Sequence, residues 1–195
     1  MSYILGLTGP TGSGKSTASE YAKTLGWHIV DCDLLAREAV KNDDALNKLT
    51  EVFGKEILAT DGGLNRKALA EKAFATEDKT ELLNKTLLPY IVELVKEEIE
   101  KANSDKIILD APTLYESGAD ALCDAVIVIT SSADKRIGRI MGRDGLDEKD
   151  AKLRIGAGKN DEYYKQRTLH IIYNDFDEKT LKDEFERILT NSGGN

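Results

Sequence analysis

Short β-branched runs alternate with amphipathic stretches along much of the chain. Tyr3–Thr8 has the character of a strand, 15–25 of a helix stopped by Gly26, and 27–31 of a second strand. Lys106–Asp110 and Ala125–Thr130 are rich in Ile, Leu and Val and bounded by polar residues, the pattern of buried parallel strands. His170–Tyr173 is a weaker fifth strand, and 178–189 is a closing amphipathic helix. This rhythm predicts an α/β fold with a parallel sheet flanked by helices.

Between residues 34 and 104 the rhythm stops: no strand signal appears and helical patterns dominate. The stretch 78–101 is rich in Leu, Glu and Lys, and Pro89 is expected to break or kink it. Two readings fit this insertion, a helical substrate-binding subdomain or a crossover that only packs on the sheet. There are no internal repeats, and residues 191–195 (N-S-G-G-N) are expected to be a disordered end.

Chemistry enters at Gly9-Pro10-Thr11-Gly12-Ser13-Gly14-Lys15-Ser16, which fills the pattern G-x-x-x-x-G-K-[S/T] between a predicted strand and a predicted helix. Gly9, Gly12 and Gly14 let successive backbone N–H groups turn inward around a triphosphate. Lys15 is expected to reach the outer phosphates, and the Ser16 hydroxyl to ligate a magnesium ion bridging them. With Thr17, these residues form the candidate ATP site. The fold class becomes a P-loop NTPase-type sheet with a helical insertion and a helical lid. The loop alone does not say what becomes of the γ-phosphate.

Asp31 and Asp33 end the second strand, where ligands of open parallel sheets sit. A hydroxyl attacking a γ-phosphate needs an acceptor for its proton, and Asp33 is the candidate base, with Asp31 in support. The competing role for Asp33 is to cap the helix beginning at Leu34. Asp110 ends a Walker-B-like strand and is a candidate for the magnesium shell. The following residues 111–116 are expected to form a loop, with Glu116 either steering substrate or lying at the surface. Arg136, Arg139 and Arg143 recur at i, i+3 and i+7 on a predicted helix over 133–143, a stripe suited to a transferring phosphoryl group. A turn at 143–147, with Asp147 as N-cap, leads to a second helix, and Gly156, Gly158, Lys159 and Lys165 extend this candidate lid.

Composition narrows the field. The 195 residues suit one domain, are 41% hydrophobic and 32% charged, and carry a net charge of −8. Such a chain is a poor match for a nucleic acid backbone. No apolar run is long enough to span a bilayer, and the start enters the phosphate loop at once, so neither membrane nor signal peptide is expected. Cys32 and Cys123 are too few for a disulfide framework and are expected to be buried apolar residues of a cytoplasmic protein. His28, His170 and Trp27 are expected to be structural.

The chain resembles the dephospho-CoA kinase family over essentially its whole length. The resemblance rests on the phosphate loop, V-D-C-D-L-L-A-R from Val30 to Arg37, and F-G-K-E-I-L-A-T-D-G-G-L-N-R from Phe53 to Arg66. It continues through L-D-A-P-T-L-Y-E-S-G from Leu109 to Gly118, Arg139 with Arg143-Asp144, Arg154-Ile155, and Asn174. It implies transfer of the γ-phosphate of ATP, with magnesium, to the ribose 3′-hydroxyl of dephospho-CoA, the last step of coenzyme A synthesis. By position it implies Asp33 as base, Lys15 and Ser16 on phosphates and metal, and Arg139 and Arg143 in the lid. Asp31, Asp33, Arg37, Arg66, Pro112, Leu114, Tyr115 and Glu116 become the acceptor-binding candidates. Residues 1–33, 104–135 and 168–195 become a nucleotide-binding core, 34–103 a CoA-binding insertion and 136–167 a lid within one kinase domain. No obligate protein partner is expected.

Four positions depart from the family pattern. Leu88 stands where a histidine usually precedes proline, and Gly158 where a glutamine is usual. Thr113 interrupts the usual Pro-Leu-Leu, and His170 replaces an acidic residue. The alternatives are another small-molecule or nucleoside kinase, which would differ in its acceptor pocket, and a non-enzymatic P-loop switch. No N-K-x-D guanine-reading motif is present for a GTPase.

Overall fold

The computed structural model of the chain describes residues 2–192. In order, its regular elements are β1 (Tyr3–Thr8), α1 (Lys15–Thr24), β2 (His28–Asp31), α2 (Cys32–Ala39), α3 (Asp43–Phe53), α4 (Arg66–Ala73), α5 (Glu77–Ala102) and β3 (Lys106–Asp110). There follow α6 (Leu114–Ser117), β4 (Ala125–Thr130), α7 (Ala133–Asp144), α8 (Glu148–Gly156), α9 (Asp161–Lys165), β5 (His170–Tyr173) and α10 (Glu178–Ser192). The chain divides into two compact units. One runs up to Val30, resumes over Ser104–Pro112 and continues from Leu122; the other holds Asp31–Asn103 and Thr113–Ala121.

The first unit is built on a five-stranded sheet in the order β2-β3-β1-β4-β5. β1 is central, paired in parallel with β3 (Leu5 opposite Ile108, Leu7 opposite Asp110) and with β4 (Leu7 opposite Ile127). β4 pairs in parallel with β5, Ile129 opposite Ile172. Because both faces are covered, the strands read as nearly continuous apolar runs rather than alternating ones. Leu5, Leu7, Ile108, Ile127, Ile129 and Ile172 form the core with Ala18 and Ala22 of α1 and Leu181, Phe185 and Leu189 of α10. The small residues on α1 let the helix lie close to the sheet, which fixes the loop between β1 and α1. Trp27 precedes β2 rather than opening it, is 5% exposed, and meets the Tyr3 ring edge-on at 6.3 Å. His28 is half-buried and His170 exposed.

The second unit is helical. α5 carries Leu83, Leu87, Ile91 and Val95 inward at four-residue spacing, and α2, α3 and α4 pack against it. The expected interruption at Pro89 does not occur: α5 runs through it for 26 residues. Proline removes one backbone donor, but Pro89 is on the exposed side, while the apolar stripe on the opposite side continues across it. Residues 111–116 are not all loop either, since α6 begins at Leu114, which is fully buried. The helical stretch expected over 34–103 lies in this unit, which also takes in 113–121, whereas 136–167 groups with the sheet.

At the end of the chain, Asn191 and Ser192 fall in α10 rather than in a tail, and the rest of the expected tail, 193–195, lies outside the described residues. Among the described residues no helix is long and apolar enough to cross a membrane. Cys32 is buried, whereas Cys123 is only half-buried; neither is in a disulfide.

Candidate active site

The loop from Gly9 to Ser16 leaves the central strand and enters α1. Gly9, Gly12 and Gly14 have φ of 151°, 79° and 100°. A side chain at Gly9 would collide with the Ile129 carbonyl, and one at Gly14 with the Asn174 amide, so glycine is required twice over. Within the loop, the Ser13 N–H donates to the Pro10 carbonyl at 3.2 Å. Gly14 is the N-cap of α1, and its carbonyl accepts from Thr17 at 3.1 Å and Ala18 at 3.3 Å. It offers no side chain to the first-turn N–H groups, an arrangement suited to an anion. Ser16 is exposed, Thr11 and Thr17 are half-buried, and Pro10 and Ser13 are buried.

Lys15 is ion-paired through Nζ with Asp110 Oδ1, each side chain 15% exposed. The other Asp110 oxygen accepts from Ser19 Oγ at 2.7 Å. The Walker-B-like carboxylate thus lies beside the phosphate-loop lysine. Among the described residues no group of three or more His, Cys, Asp or Glu is placed to hold a metal. The oxygen donors at Ser16 and Asp110 fit a hard cation that arrives with a nucleotide better than a resident metal centre.

The arginine stripe of α7 separates into three environments. Arg136 is buried at 8% exposure. Arg139 Nη1 donates to the carbonyls of Gly12 and Ser13, each at 3.2 Å, and Nη2 to that of Asn174 at 2.8 Å. Arg143 is exposed and held by Asp144 through two bonds, Nε to Oδ1 at 2.7 Å and Nη2 to Oδ2 at 2.8 Å. Arg154 of α8 reaches the same carboxylate at 2.6 Å. These partners keep the Asp144 carboxyl below the usual carboxylate range, the Arg143 hydrogen bonds contributing most. Asp147 caps α8 as expected, accepting from Asp150 N at 2.8 Å.

Two residues that sequence reasoning did not single out hold other parts of this site: Asp175 at the start of α7 and Ser19 beside Asp110. Asp175 accepts from Ser132 N at 2.7 Å and from Ser131 Oγ at 2.8 Å, linking the start of α7 to the end of β5. Its carboxyl is held low, chiefly by the Ser132 N–H. Asn174, carried only by the family resemblance, is 7% exposed and donates from Nδ2 to the Ser13 carbonyl at 2.8 Å. A polar N-D pair directly after a strand was the available signal for this latch.

In the helical unit, the capping role falls to Asp31, not Asp33: the Asp31 carboxylate accepts from Leu34 N at 3.0 Å. Asp33 instead lines a cavity of about 470 Å³ together with Arg37 and Arg66. The rest of the lining is mainly apolar, with Leu64, Leu69, Phe74, Leu83 and Leu87 contributing. The structure therefore brings Asp33, Arg37 and Arg66 together. Asp31, Leu114, Tyr115 and Glu116 belong to the same unit but are not in this lining, and Pro112 belongs to the sheet unit. Glu116 is half-buried, and its backbone carbonyl accepts from Asn84 Nδ2 at 3.2 Å. Leu88 packs toward Gly118, outside the cavity. Gly158 is exposed just beyond α8.

A phosphate loop on the central strand of a parallel sheet, a lysine–carboxylate pair beside it and arginines from a following helix define the P-loop kinase class. Comparison with known proteins narrows this. The chain belongs to the dephospho-CoA kinase family, whose model, described as "Dephospho-CoA kinase", matches residues 3–180. It is 37% identical over 190 residues to a dephospho-CoA kinase of Enterococcus faecalis, covering 96% of this chain and 94% of that protein. A dephospho-CoA kinase of Corynebacterium efficiens is 36% identical over 189 residues, covering 95% of this chain and 94% of the relative. The solved dephospho-CoA kinase of Campylobacter jejuni superposes with a TM-score of 0.65 at 26% identity, covering 98% of this chain and 97% of that one.

Proposed function

We propose that this protein transfers the γ-phosphate of ATP to the ribose 3′-hydroxyl of dephospho-CoA, giving coenzyme A and ADP. The observation that carries this reading beyond the family match is the cavity shared by Asp33, Arg37 and Arg66. Its lining has one carboxylate for a hydroxyl proton, two guanidinium groups for a diphosphate, and apolar side chains for the pantetheine arm. An acceptor such as a simple nucleoside has no use for so much apolar wall.

In this mechanism the loop N–H groups and Lys15 hold the β- and γ-phosphates, with Lys15 exchanging Asp110 for phosphate oxygen. Asp33 accepts the proton as the 3′-oxygen attacks; the new P–O bond forms while the bond to the β-phosphate oxygen breaks, leaving ADP. Arg139 and Arg143 neutralise charge spread over the transferring group. Ser16 and Asp110 would hold a magnesium ion, which would supply further charge neutralisation at the phosphates. Most of the rate then comes from positioning and electrostatics rather than from covalent participation. The net charge of −8 supports small anionic substrates held by local arginines rather than a nucleic acid partner. Two cysteines outside any disulfide support a cytoplasmic setting.

The test is ADP release coupled to an optical readout, with Mg-ATP and dephospho-CoA beside a panel of nucleosides and free pantetheine. Release that requires dephospho-CoA supports the reading. Release with another acceptor only would keep the kinase and move the substrate. No acceptor-dependent release from folded, ATP-binding protein would overturn the kinase assignment.

A further inference from the structure

Arg136 is the arginine of the α7 stripe that the arrangement above leaves unused. It is 8% exposed, and its Nε and Nη1 are both buried without a hydrogen-bond partner. Its stripe neighbours are engaged, Arg139 by loop carbonyls and Arg143 by Asp144. Burying a guanidinium with unsatisfied donors is costly, and a hydrophobic residue of similar length would fill the same space without that cost.

Its position gives the cost a purpose. A Cβ placed on Gly12 would lie 3.0 Å from the Arg136 carbonyl oxygen and 3.1 Å from Arg136 Cβ, so the side chain leaves α7 beside the middle of the phosphate loop. Next to Gly12, Ser13 Oγ is also buried without a partner, its residue 1% exposed. One unpaired group thus belongs to this stretch of loop, and the residue carrying the others is packed against it. Both suit an anion, and guanidinium N–H groups suit phosphate oxygens in particular.

We propose that Arg136 is a phosphate-binding residue of the nucleotide site, donating from Nε and Nη1 to the phosphate chain of a bound nucleoside di- or triphosphate. The proposal rests on the nucleotide site described above and is independent of the acceptor. The i, i+3 spacing then has a physical meaning: Arg136 and Arg139 lie on one face of α7, and both serve the loop.

The test is calorimetric titration of the full chain with Mg-ADP, without acceptor, for wild type and Arg136→Met, beside thermal melts of each protein. Methionine keeps an unbranched apolar stem and removes the donors. Loss of charged hydrogen bonds predicts a Kd for Mg-ADP weaker by roughly 10- to 100-fold. The nucleotide-free melting temperature should be unchanged or higher, since a buried unpaired charge has gone. A merely structural strut would show the reverse, a lower melting temperature with the same affinity. A Kd within about twofold of wild type overturns the proposal whatever happens to the melt, twofold being below the smallest loss expected for one such bond. Should the Met variant fail to fold, Arg136→Gln is held to the same criterion, and Arg136→Lys should recover part of the affinity. Failure of dephospho-CoA as acceptor leaves this result standing, whereas wild-type protein that binds no Mg-ADP overturns both readings.

Discussion

The Lys15 ammonium is paired with the Asp110 carboxylate, whose other oxygen is held by the Ser19 hydroxyl at 2.7 Å. In the proposed mechanism Lys15 therefore has a protein partner to leave for the phosphates, and the exchange costs little because one anion replaces another. Asp110→Asn would strand a largely buried ammonium and lower stability by about 1–3 kcal/mol. Saturating ATP should recover part of that loss by supplying the missing anion, so the ATP-induced rise in melting temperature should be larger in the variant than in wild type. Equal rises would separate Asp110 from the work of Lys15.

Asp33→Asn keeps size and polarity and removes the proposed proton acceptor. Its kcat should fall by about 10²- to 10⁴-fold, with the Kd for ATP unchanged. Steady-state rates beside nucleotide titration check both halves, and wild-type-like turnover would remove Asp33 from the role of base.

Arg66 shares a cavity with Asp33 in the helical unit and lies far along the chain from the phosphate loop. Arg66→Ala should raise KM for dephospho-CoA by roughly 10-fold or more, the loss of a charged hydrogen bond, and leave KM for ATP within about twofold. Initial rates with each substrate varied in turn decide it. An effect on ATP alone would move the acceptor elsewhere.

Asn174 donates to the Ser13 carbonyl from a buried position and accepts from Arg139 through its own carbonyl. Asn174→Ala should cost about 1–3 kcal/mol, because it leaves the Ser13 carbonyl without this donor. Denaturant titration measures it. A loss below about 0.5 kcal/mol would mean that the loop is held chiefly by its own glycines and Arg139.

Asp175 has a carboxyl held below its ordinary value by the Ser132 N–H and the Ser131 hydroxyl. A lowered folded-state value means stability that is present above the unfolded pKa, about 3.9, and lost as pH falls through the folded one. The melting-temperature gap between wild type and Asp175→Asn should be open at neutral pH and close as the pH drops below about 4. A gap that persists unchanged into strong acid would assign the effect to shape rather than charge.

Four strands, the loop and the turn between α7 and α8 could be read from the sequence because each is a local pattern. Tyr3–Thr8, Lys106–Asp110, Ala125–Thr130 and His170–Tyr173 begin and end where apolar runs meet polar residues. Pro89 was misleading because a missing N–H is local, whereas the stripe through Leu83, Leu87, Ile91 and Val95 is a property of the whole helix. Asp33 reads as the candidate cap in sequence; only the backbone turn after β2 gives the Leu34 N–H to Asp31. The spacing of Arg136, Arg139 and Arg143 was legible, but not their three fates, which depend on partners as distant along the chain as Gly12 and Asn174. Leu69, Phe74 and Leu87 carry no local signal of a role, and their part as cavity wall appears only when α2, α4 and α5 are assembled.

The measurement that bears most directly on the central claim is identification of the product formed from dephospho-CoA and Mg-ATP, by phosphorus NMR with proton coupling to the ribose. The account predicts one new phosphomonoester, on the 3′-oxygen, formed in step with ADP and lost in Asp33→Asn. A phosphate on any other oxygen, or ADP formed with dephospho-CoA unchanged, would contradict it.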